Sequence, residues 1–284
     1  MTNKTGILYL CATPIGNLED MTFRAVRILQ EADLIAAEDT RNSIKLLNHF
    51  DIHTPMTSYH EHNKYEKGRI LVGKLLEGQD IALVTDAGMP GISDPGEELV
   101  RMCHEAGITV TAVPGACACV TALALSGRPS RRFCFEGFLP ADKKERRELL
   151  AEFAGETRTI LLYEAPHRLK RTLPELLKAL GDRELTVCRE LTKKHESLWR
   201  TTLSEACSCY ESQEAKGEYV LVIEGRSREE LIRQRQQEYQ EMPLADHVRL
   251  YEEQGLDQKS AMKQAARDRG ITKREVYQAL LQKE

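Results

Sequence analysis

The sequence lacks the long apolar runs that a membrane protein needs. No stretch of its 284 residues approaches the roughly 20 consecutive apolar residues of a membrane-spanning helix. No basic-then-apolar signal sequence precedes the first apolar run. A composition of 41% hydrophobic and 30% charged residues is instead typical of a soluble globular protein. We therefore expect a cytoplasmic protein without membrane contact.

Recognisable metal and disulfide patterns are also lacking. The eight cysteines include Cys117-x-Cys119 and Cys207-x-Cys209, which do not have the paired two-residue spacing of zinc sites. Others, such as Cys11, lie in apolar segments where cysteine acts as a small buried hydrophobe. The histidines are scattered and suggest no ligand set. We therefore expect free thiols in a reducing cytoplasm and no bound metal.

Two phosphate-binding motifs are missing, and the overall charge does not identify a partner either. The sequence contains no G-x-x-x-x-G-K-[ST], and no G-x-G-x-x-G opens the first helix. Residues 1–126 hold 10 Lys and Arg against 16 Asp and Glu, whereas residues 127–226 hold 19 against 17. The acidic first part would repel nucleic acid, and the later basic clusters could bind phosphates. Overall charge therefore does not decide the partner.

The sequence does contain a regular alternation of short apolar runs and amphipathic segments over residues 1–126. This alternation predicts a largely parallel sheet wrapped by helices. Helices are expected over Asn42–Phe50 and Ala116–Leu125, among others. The predicted strands of this first part are Ile7–Ala12, Asp33–Glu38, Pro55–Tyr59, Asp80–Thr85 and Ile108–Val113.

Two further parts follow along the chain. Residues 127–226 alternate again and predict a second α/β domain, whereas the pattern of residues 227–284 is helical. Arg228–Glu241 is polar and is interpreted as a charged connector. The last two helical segments, joined by a glycine turn, fit either a helix-turn-helix or an ordinary helical hairpin.

Three of the predicted strands in the first domain end in unusual turns. Val84–Gly96 contains three glycines and two prolines, and Ser93 or Asp94 could cap the helix that follows it. Thr13–Asn17 and Pro114–Ala118 combine proline and glycine with small residues in the same way. Because the carboxyl ends of parallel strands meet at one edge of a sheet, these three loops predict a single ligand crevice.

The three loops contain no lysine or arginine, so the crevice does not suit a phosphate group. They offer backbone groups, small apolar surfaces, Ser93 and the carboxylate of Asp86. Such a lining favours a ligand with a flat neutral ring, hydroxyl groups and a cationic or zwitterionic end. S-adenosylmethionine has these features.

An ordered series of motifs resembles one known family over nearly the whole chain. The motifs are Thr13–Leu18, Ala37–Arg41, Val84–Gly96, Val113–Ala116 and Tyr163–Arg168. Together they resemble the ribosomal RNA small-subunit methyltransferase I family, which has the tetrapyrrole-methylase-like fold. Met89 and Cys117 depart from the residues that are common in the family.

The resemblance implies a fold, a cofactor and a substrate. It implies an α/β fold of two α/β domains (1–126 and 127–226) with the cofactor cleft between them, followed by a small helical domain (227–284). It implies S-adenosylmethionine as cofactor, a homodimer, and 2′-O-methylation of a decoding-centre cytidine in 16S rRNA, either naked or in the assembled small ribosomal subunit. The cofactor-binding residues that it implies are Pro14, Ile15, Asp86, Ala87, Gly88, Ser93, Pro114, Gly115, Ala116, Ala165 and Leu191.

Methylation of a ribose hydroxyl also calls for a base, because the hydroxyl loses its proton during the reaction. Asp39 and His60 follow predicted strands and rank above Glu38 as candidates, with Arg41 as a clamp for a phosphate or a carboxylate. The alternative is structural, since Asp39 could simply cap the helix that follows it. His60 could equally be an ordinary loop residue.

RNA binding needs basic side chains outside the cofactor cleft. Arg131, Arg132 and Arg168 belong to basic clusters that the predicted fold places near the cleft, and phosphate contacts are their expected role. Lys193 belongs to a further basic cluster, which follows the predicted strand that ends near Glu190, and has the same expected role. Each cluster could instead be a solvated surface. Two rival functions stay open, namely a tetrapyrrole methyltransferase and a non-enzymatic nucleic-acid-binding regulator that senses the cofactor.

Overall fold

Residues 7–113 form a parallel five-stranded sheet covered by helices on both faces. The computed structural model describes residues 5–281, without the side chains of residues 234 and 235. The strand order is β3-β2-β4-β1-β5, and neighbouring strands run parallel. The strands are β1 (Ile7–Cys11), β2 (Leu34–Ala37), β3 (Met56–Ser58), β4 (Ile81–Val84) and β5 (Thr109–Val113), and the helices are α1 (Phe23–Glu31), α2 (Thr40–His49), α3 (Lys64–Leu76) and α4 (Gly96–Glu105).

Alternation along the strands produces two separate cores, one on each face of this sheet. In β4, Ala82 and Val84 pack with residues of α1 and α2. Ile81 and Leu83 point to the other face and pack with residues of α3 and α4. Because all four side chains are buried, the strand reads as a continuous apolar run.

A second five-stranded sheet follows, in which most neighbours are antiparallel. The order is β6-β7-β10-β8-β9, with β6 and β7 parallel and β10 antiparallel to both of its neighbours. The strands are β6 (Phe133–Phe138), β7 (Thr159–Glu164), β8 (Glu184–Arg189), β9 (Ser197–Thr202) and β10 (Tyr219–Ile223), and the helices are α5 (Ala118–Ser126), α6 (Lys143–Phe153), α7 (Pro166–Leu180) and α8 (Leu203–Ser212). These two sheets confirm the predicted α/β class.

Helix α5 belongs to the core of the second sheet although it precedes residue 127. Its Cys119, Ala122 and Leu123 pack against strand residues of that sheet, including Leu161 and Val220. The sequence pattern assigns this helix to the first domain, because it directly follows β5. Its packing instead joins the two sheets into one compact unit, which extends to Leu150 and includes Arg158–Glu224.

Two helix starts in this part of the chain differ from the sequence prediction by two residues, each for a local reason. Helix α2 begins at Thr40 rather than Asn42, because the Asp39 carboxylate accepts the Arg41 N–H at 2.9 Å and caps the first turn. Helix α5 begins at Ala118 rather than Ala116, because Cys117 is extended with φ −147° and ψ 111°.

The C-terminal helices form a second compact unit together with Ala151–Thr157. Arg228–Glu241, interpreted from the sequence as a connector, is helix α9, and the Ser227 hydroxyl caps it by accepting the Glu230 N–H. The remaining helices are α10 (Leu244–Glu253), α11 (Gln258–Arg269) and α12 (Lys273–Leu281), and Gly270 with φ +68° ends α11. Within residues 5–281, the helices are too short or too polar to cross a membrane.

A buried chain of polar contacts fixes the turn between β7 and α7. The Arg146 guanidinium, 4% exposed, donates to the Thr172 hydroxyl at 2.8 Å and pairs with Glu175. The Thr172 hydroxyl in turn donates to the carboxylate of Glu164, which is 2% exposed. The other Glu164 oxygen accepts the Ala165 N–H at 2.9 Å.

Replacement of Arg146 should therefore destabilise the folded protein. We expect Arg146→Ala to lower the free energy of unfolding by about 3–5 kcal/mol, because it leaves buried polar partners uncompensated. Urea unfolding of wild type and variant measures this difference. Arg147→Ala, one residue further along α6 but exposed, is the matched control and should stay within about 0.5 kcal/mol. Equal losses in the two variants would contradict the buried network.

Candidate functional site

Two of the three predicted crevice loops are joined directly by backbone hydrogen bonds. The Thr13 N–H donates to the Gly88 carbonyl at 2.9 Å, and the Gly88 N–H donates to the Thr13 carbonyl at 3.1 Å. Gly88 has φ +86°, and a Cβ there would lie 3.3 Å from Ile15 Cγ2 and 3.5 Å from the Ala116 carbonyl oxygen. The loops after β1, β4 and β5 therefore meet at this glycine, as the sequence predicts.

The loop after β4 is shaped by one carboxylate. Asp94 accepts backbone N–H groups from Gly91, Ile92 and Gly96, the last at 2.7 Å. The neighbouring Ser93 has φ +64°, a left-handed conformation that is unfavourable for a residue with a Cβ. Backbone strain of this kind is concentrated at functional sites, where the surroundings hold it in place.

These loops open on two adjoining cavities that share Ile15, Asp86, Ala87 and Glu218. The outer cavity has a volume of about 360 Å³ and the inner cavity about 400 Å³, both within the usual range for ligand pockets. The outer cavity is also lined by Thr13, Pro14, Gly16, Leu18, Asn42, Lys45, Leu46 and Lys193. The inner cavity is also lined by Glu38, Thr85, Gly88, Met89, Ile92, Ser93, Asp94, Cys117, Ala118, Phe138, Tyr163, Glu164, Ala165, Pro166, Tyr219 and Val220.

The inner cavity has an acidic and aromatic lining. Among the described residues its wall includes five carboxylates and no lysine, arginine or histidine. Phe138 and Tyr163 provide ring surfaces whose centroids lie 5.7 Å apart. This lining disfavours a phosphate group and fits a ligand with a cationic centre and a flat ring, which is the chemistry of S-adenosylmethionine.

Glu38 and Asp39 follow the same strand, but their environments differ. Burial raises the pKa of the Glu38 carboxyl, which lies in the inner cavity wall within 3.5 Å of the Asp86 backbone nitrogen. Asp39 points away to cap α2, and hydrogen bonds from Arg41 lower its pKa to about 2. A carboxylate with so low a pKa is a weak base, whereas Glu38 has the properties of a stronger one.

Neither of the other two residues predicted for catalysis is part of the lining of the inner cavity. The Arg41 guanidinium pairs with Asp39 at 2.7 Å and its side chain is 88% exposed, so it can reach a ligand only from outside. The His60 ring is held beside Asn63, with Nε2 at 3.3 Å from the amide nitrogen. His60 Nδ1 is buried and has no hydrogen-bond partner among the described residues.

The residues predicted for cofactor binding separate into two groups. Those that line a cavity are Pro14, Ile15, Asp86, Ala87, Gly88, Ser93 and Ala165. Pro114, Gly115, Ala116 and Leu191 are not part of either lining. Leu191 and Ala116 instead belong to the hydrophobic cluster behind Ile15. A Cβ on Gly115 would lie 2.9 Å from the Ala12 Cβ.

The residues predicted for RNA binding differ in how accessible their side chains are to an RNA phosphate. Arg131 and Arg132 are exposed just before β6. The Arg168 guanidinium is engaged internally, since it donates to the Leu139 carbonyl at 2.5 Å and lies 3.4 Å from Glu164. Lys193 lies at the outer cavity and pairs with Glu190 at 2.9 Å and Glu218 at 3.1 Å.

Sequence reasoning missed several cavity residues that the second sheet contributes. The inner cavity is lined by Phe138 and Glu218, which belong to none of the motifs. It is also lined by Tyr163, which begins the motif Tyr163–Arg168 but was not predicted as a site residue. Sequence reasoning also missed Lys45, for which a signal exists. Arg41, Lys45 and His49 are spaced four apart, and such residues share one face of a helix.

Comparison with known proteins identifies similar sequences. A family model described as Tetrapyrrole (Corrin/Porphyrin) Methylases matches residues 7–207. Proteins called Ribosomal RNA small subunit methyltransferase I are similar over nearly the whole chain. The one from Halalkalibacterium halodurans is 52% identical, covering 96% of this chain and 93% of that protein. The one from Synechocystis sp. is 51% identical (98% and 99% covered), and the one from Escherichia coli O157:H7 is 44% identical (99% and 97%).

Two solved structures have a similar fold. The methyltransferase CobJ gives a TM-score of 0.59 at 18% identity, covering 78% of this chain and 95% of that one. Uroporphyrin-III C-methyl transferase from Thermus thermophilus, complexed with S-adenyl homocysteine, gives 0.55 at 20% identity, covering 77% and 97%. At these identities the likeness extends to the fold alone.

Proposed function

Since this chain belongs to the ribosomal RNA small subunit methyltransferase I family of the tetrapyrrole methylases, we propose that it methylates 16S rRNA with S-adenosylmethionine. The acceptor in this proposal is the ribose 2′-hydroxyl of a decoding-centre cytidine. The observation that carries it is the 52% identity to a protein named for small-subunit rRNA methylation, over 96% of this chain. The solved uroporphyrin-III C-methyltransferases are only 18–20% identical, so a tetrapyrrole substrate has much weaker support.

The inner cavity is the proposed site of the cofactor. Bound S-adenosylmethionine supplies a methyl group that its sulfonium already activates for transfer. The carboxylates of Asp86 and Glu38 favour a positive charge in the cavity, and Ile15 and Tyr163 offer apolar surface to a ring. Pro114, Gly115, Ala116 and Leu191 would then support this wall from behind rather than bind through their side chains.

Glu38 is the proposed base for the ribose hydroxyl. It lies in the wall of the same cavity, and burial raises its pKa toward the range in which a carboxylate accepts a proton efficiently. Asp39 and His60 are the alternatives predicted from the sequence. The low pKa of Asp39 and its role as a helix cap make it the weaker candidate.

A cationic face of α2 supports an RNA path that leads to the outer cavity. Lys45 is exposed in the lining of this cavity, one helical turn from Arg41 on one side and His49 on the other. His49 also lines an open groove with Lys193 and Lys194. We propose that these side chains hold RNA phosphates, with Arg131 and Arg132 as a further contact and Arg168 as support for the loop after β7.

Exposed apolar side chains support the proposal of a homodimer. Phe23 at the start of α1 is 98% exposed, and Val120 and Leu125 on α5 are 53% and 41% exposed. Large apolar side chains are enriched at interfaces, where burial stabilises the complex. A second copy of the chain is the proposed partner for these side chains.

The function itself is testable on small ribosomal subunits. We expect radiolabelled methyl groups to pass from S-adenosylmethionine to subunits from cells that lack this protein. Mapping of ribose methylation should find the label at one decoding-centre cytidine. Naked 16S rRNA in parallel shows which form is the substrate. Label on a base or on a uroporphyrinogen-type compound would contradict the proposal, as would cofactor binding without any transfer.

The role of Glu38 predicts a specific loss of rate. Glu38→Gln should reduce single-turnover methylation by about 10²–10⁴-fold with little change in cofactor affinity, because the amide cannot accept the proton. Since burial raises the pKa of Glu38, the wild-type rate should rise with pH above the range of an ordinary glutamate, and the variant should lose this dependence. Asp39→Asn is the matched control. A larger loss in Asp39→Asn or in His60→Ala would move the role to that residue.

The cationic face predicts a charge-dependent loss of RNA affinity. Lys45→Glu should weaken RNA binding and reduce its salt dependence by about one counterion, with the cofactor affinity unchanged. Filter binding at several salt concentrations measures both effects. Arg69→Glu makes the same charge change on α3, which packs on the other face of the sheet, and serves as control. Equal effects of the two variants would mean that Lys45 acts only through the overall charge of the protein and not through a phosphate contact.

A further inference from the structure

Two thiols meet in the wall of the inner cavity. The Sγ atoms of Cys117 and Cys119 are 3.5 Å apart. Cys117 is half-buried and lines the cavity, whereas Cys119 lies behind it and is 5% exposed. The proposed methyl transfer uses neither sulfur.

The backbone explains why these two side chains meet. Two residues within a regular helix that are two positions apart point in nearly opposite directions, because each residue advances by about 100°. Cys117 is instead extended and α5 begins after it, which turns its side chain toward Cys119. Cys207 and Cys209 have the same spacing inside α8, and there Cys209 Sγ contacts the Gln213 side-chain oxygen at 3.3 Å.

The two thiols differ in reactivity. Cys119 Sγ lies 3.5 Å from Cys117 Sγ, and the first N–H groups of α5 also face Cys117. These contacts hold the pKa of the Cys117 thiol below its usual range. The same contact and burial raise the pKa of Cys119. Cys117 is therefore the attacking thiolate of the pair and Cys119 the thiol that can resolve its oxidised form.

We propose that Cys117 and Cys119 are a redox-sensitive dithiol, and that a peroxide converts them into a disulfide that disables the inner cavity. The Cys117 thiolate attacks one peroxide oxygen and releases hydroxide, which leaves a sulfenic acid on Cys117. Cys119 Sγ then attacks the sulfur of Cys117, its proton is released, and the hydroxyl leaves as water. Two thiols thus lose two electrons, and hydrogen peroxide is reduced to two waters.

Closing the bond must move the cavity wall. A disulfide is about 2.05 Å long, so the sulfurs have to approach each other by roughly 1.5 Å. The Cys117 carbonyl accepts hydrogen bonds from the Thr121 N–H at 3.0 Å and from the Thr121 hydroxyl at 2.8 Å. The Cys119 N–H donates to the Tyr163 hydroxyl oxygen at 3.1 Å. Movement of either cysteine therefore disturbs the start of α5 and the Tyr163 ring in the cavity.

The consequence for activity rests on the proposed function, whereas bond formation does not. A displacement of about 1 Å in a site that works by positioning can cost about 10²-fold in rate. We therefore expect the oxidised protein to lose methyl transfer by about that factor and to bind S-adenosylhomocysteine more weakly. A cofactor already in the cavity should slow the oxidation, because it shields Cys117.

The experiment treats the full-length protein with hydrogen peroxide and then with dithiothreitol. Tandem mass spectrometry of unreduced peptides should locate a Cys117–Cys119 bond, and calorimetry with S-adenosylhomocysteine should show weaker binding that dithiothreitol restores. Cys119→Ala and Cys119→Ser should form no such bond and should accumulate a sulfenic acid on Cys117 that dimedone traps. The double variant Cys207→Ser/Cys209→Ser is the matched control and should respond like wild type.

Three outcomes would overturn the proposal. The first is a wild-type protein in which peroxide forms no bond between these sulfurs. The second is a bond that forms without any change in binding of S-adenosylhomocysteine. The third is a loss of binding that the Cys207→Ser/Cys209→Ser variant abolishes. Failure of the reduced protein to bind S-adenosylhomocysteine would instead contradict the proposed function, and the peptide mapping would still decide whether the dithiol exists.

Discussion

The reciprocal backbone hydrogen bonds between Thr13 and Gly88 are the contact on which the site depends. They hold the loop after β1 against the loop after β4, and Thr13 is only 2% exposed. A buried pair of this kind is fixed, because loss of either bond would leave a buried polar group without a partner. Ile15 lies two residues after Thr13, and its side chain packs into the cluster that α5 forms with the second sheet. The position of one sheet relative to the other is thus tied to this glycine.

The site separates charge by depth. Carboxylates such as Glu38 and Asp86 line the inner cavity, whereas Lys45 and Arg41 lie on the exposed side of α2. A cationic ligand inside and a polyanionic ligand outside both suit this arrangement. The separation is also compatible with the proposed RNA binding by an acidic part of the chain. The cations proposed to contact RNA lie on one helix face, whereas three of the 16 acidic residues of residues 1–126 (Glu38, Asp86 and Asp94) line the inner cavity.

The loops and strands of the first sheet were predictable because glycine, proline and apolar runs carry local information. The choice between Glu38 and Asp39 was not, since both follow β2 and the decision depends on which of them caps α2. The contribution of Glu218 was hidden for another reason. Strand β10 is antiparallel to β7 and pairs Tyr219 with Glu164, so the start of β10 lies beside the end of β7. Hydrophobic periodicity does not contain strand direction, and the sequence therefore could not place Glu218 at the cleft.

Close contacts on both sides of the cavities fix their width. A Cβ on Gly137 in β6 would lie 2.7 Å from Ser93 Oγ, and one on Gly16 would lie 2.3 Å from Lys193 Cγ. The loops that follow β1 and β4 therefore lie in contact with β6 and with the loop that follows β8. At the contact with Gly137, Ser93 keeps its left-handed backbone because the Asp94 carboxylate accepts backbone N–H groups of the surrounding loop. A site whose width is fixed by such contacts loses little conformational entropy on binding. For a reaction whose methyl group is already activated, such preorganisation is the main catalytic contribution available to the protein.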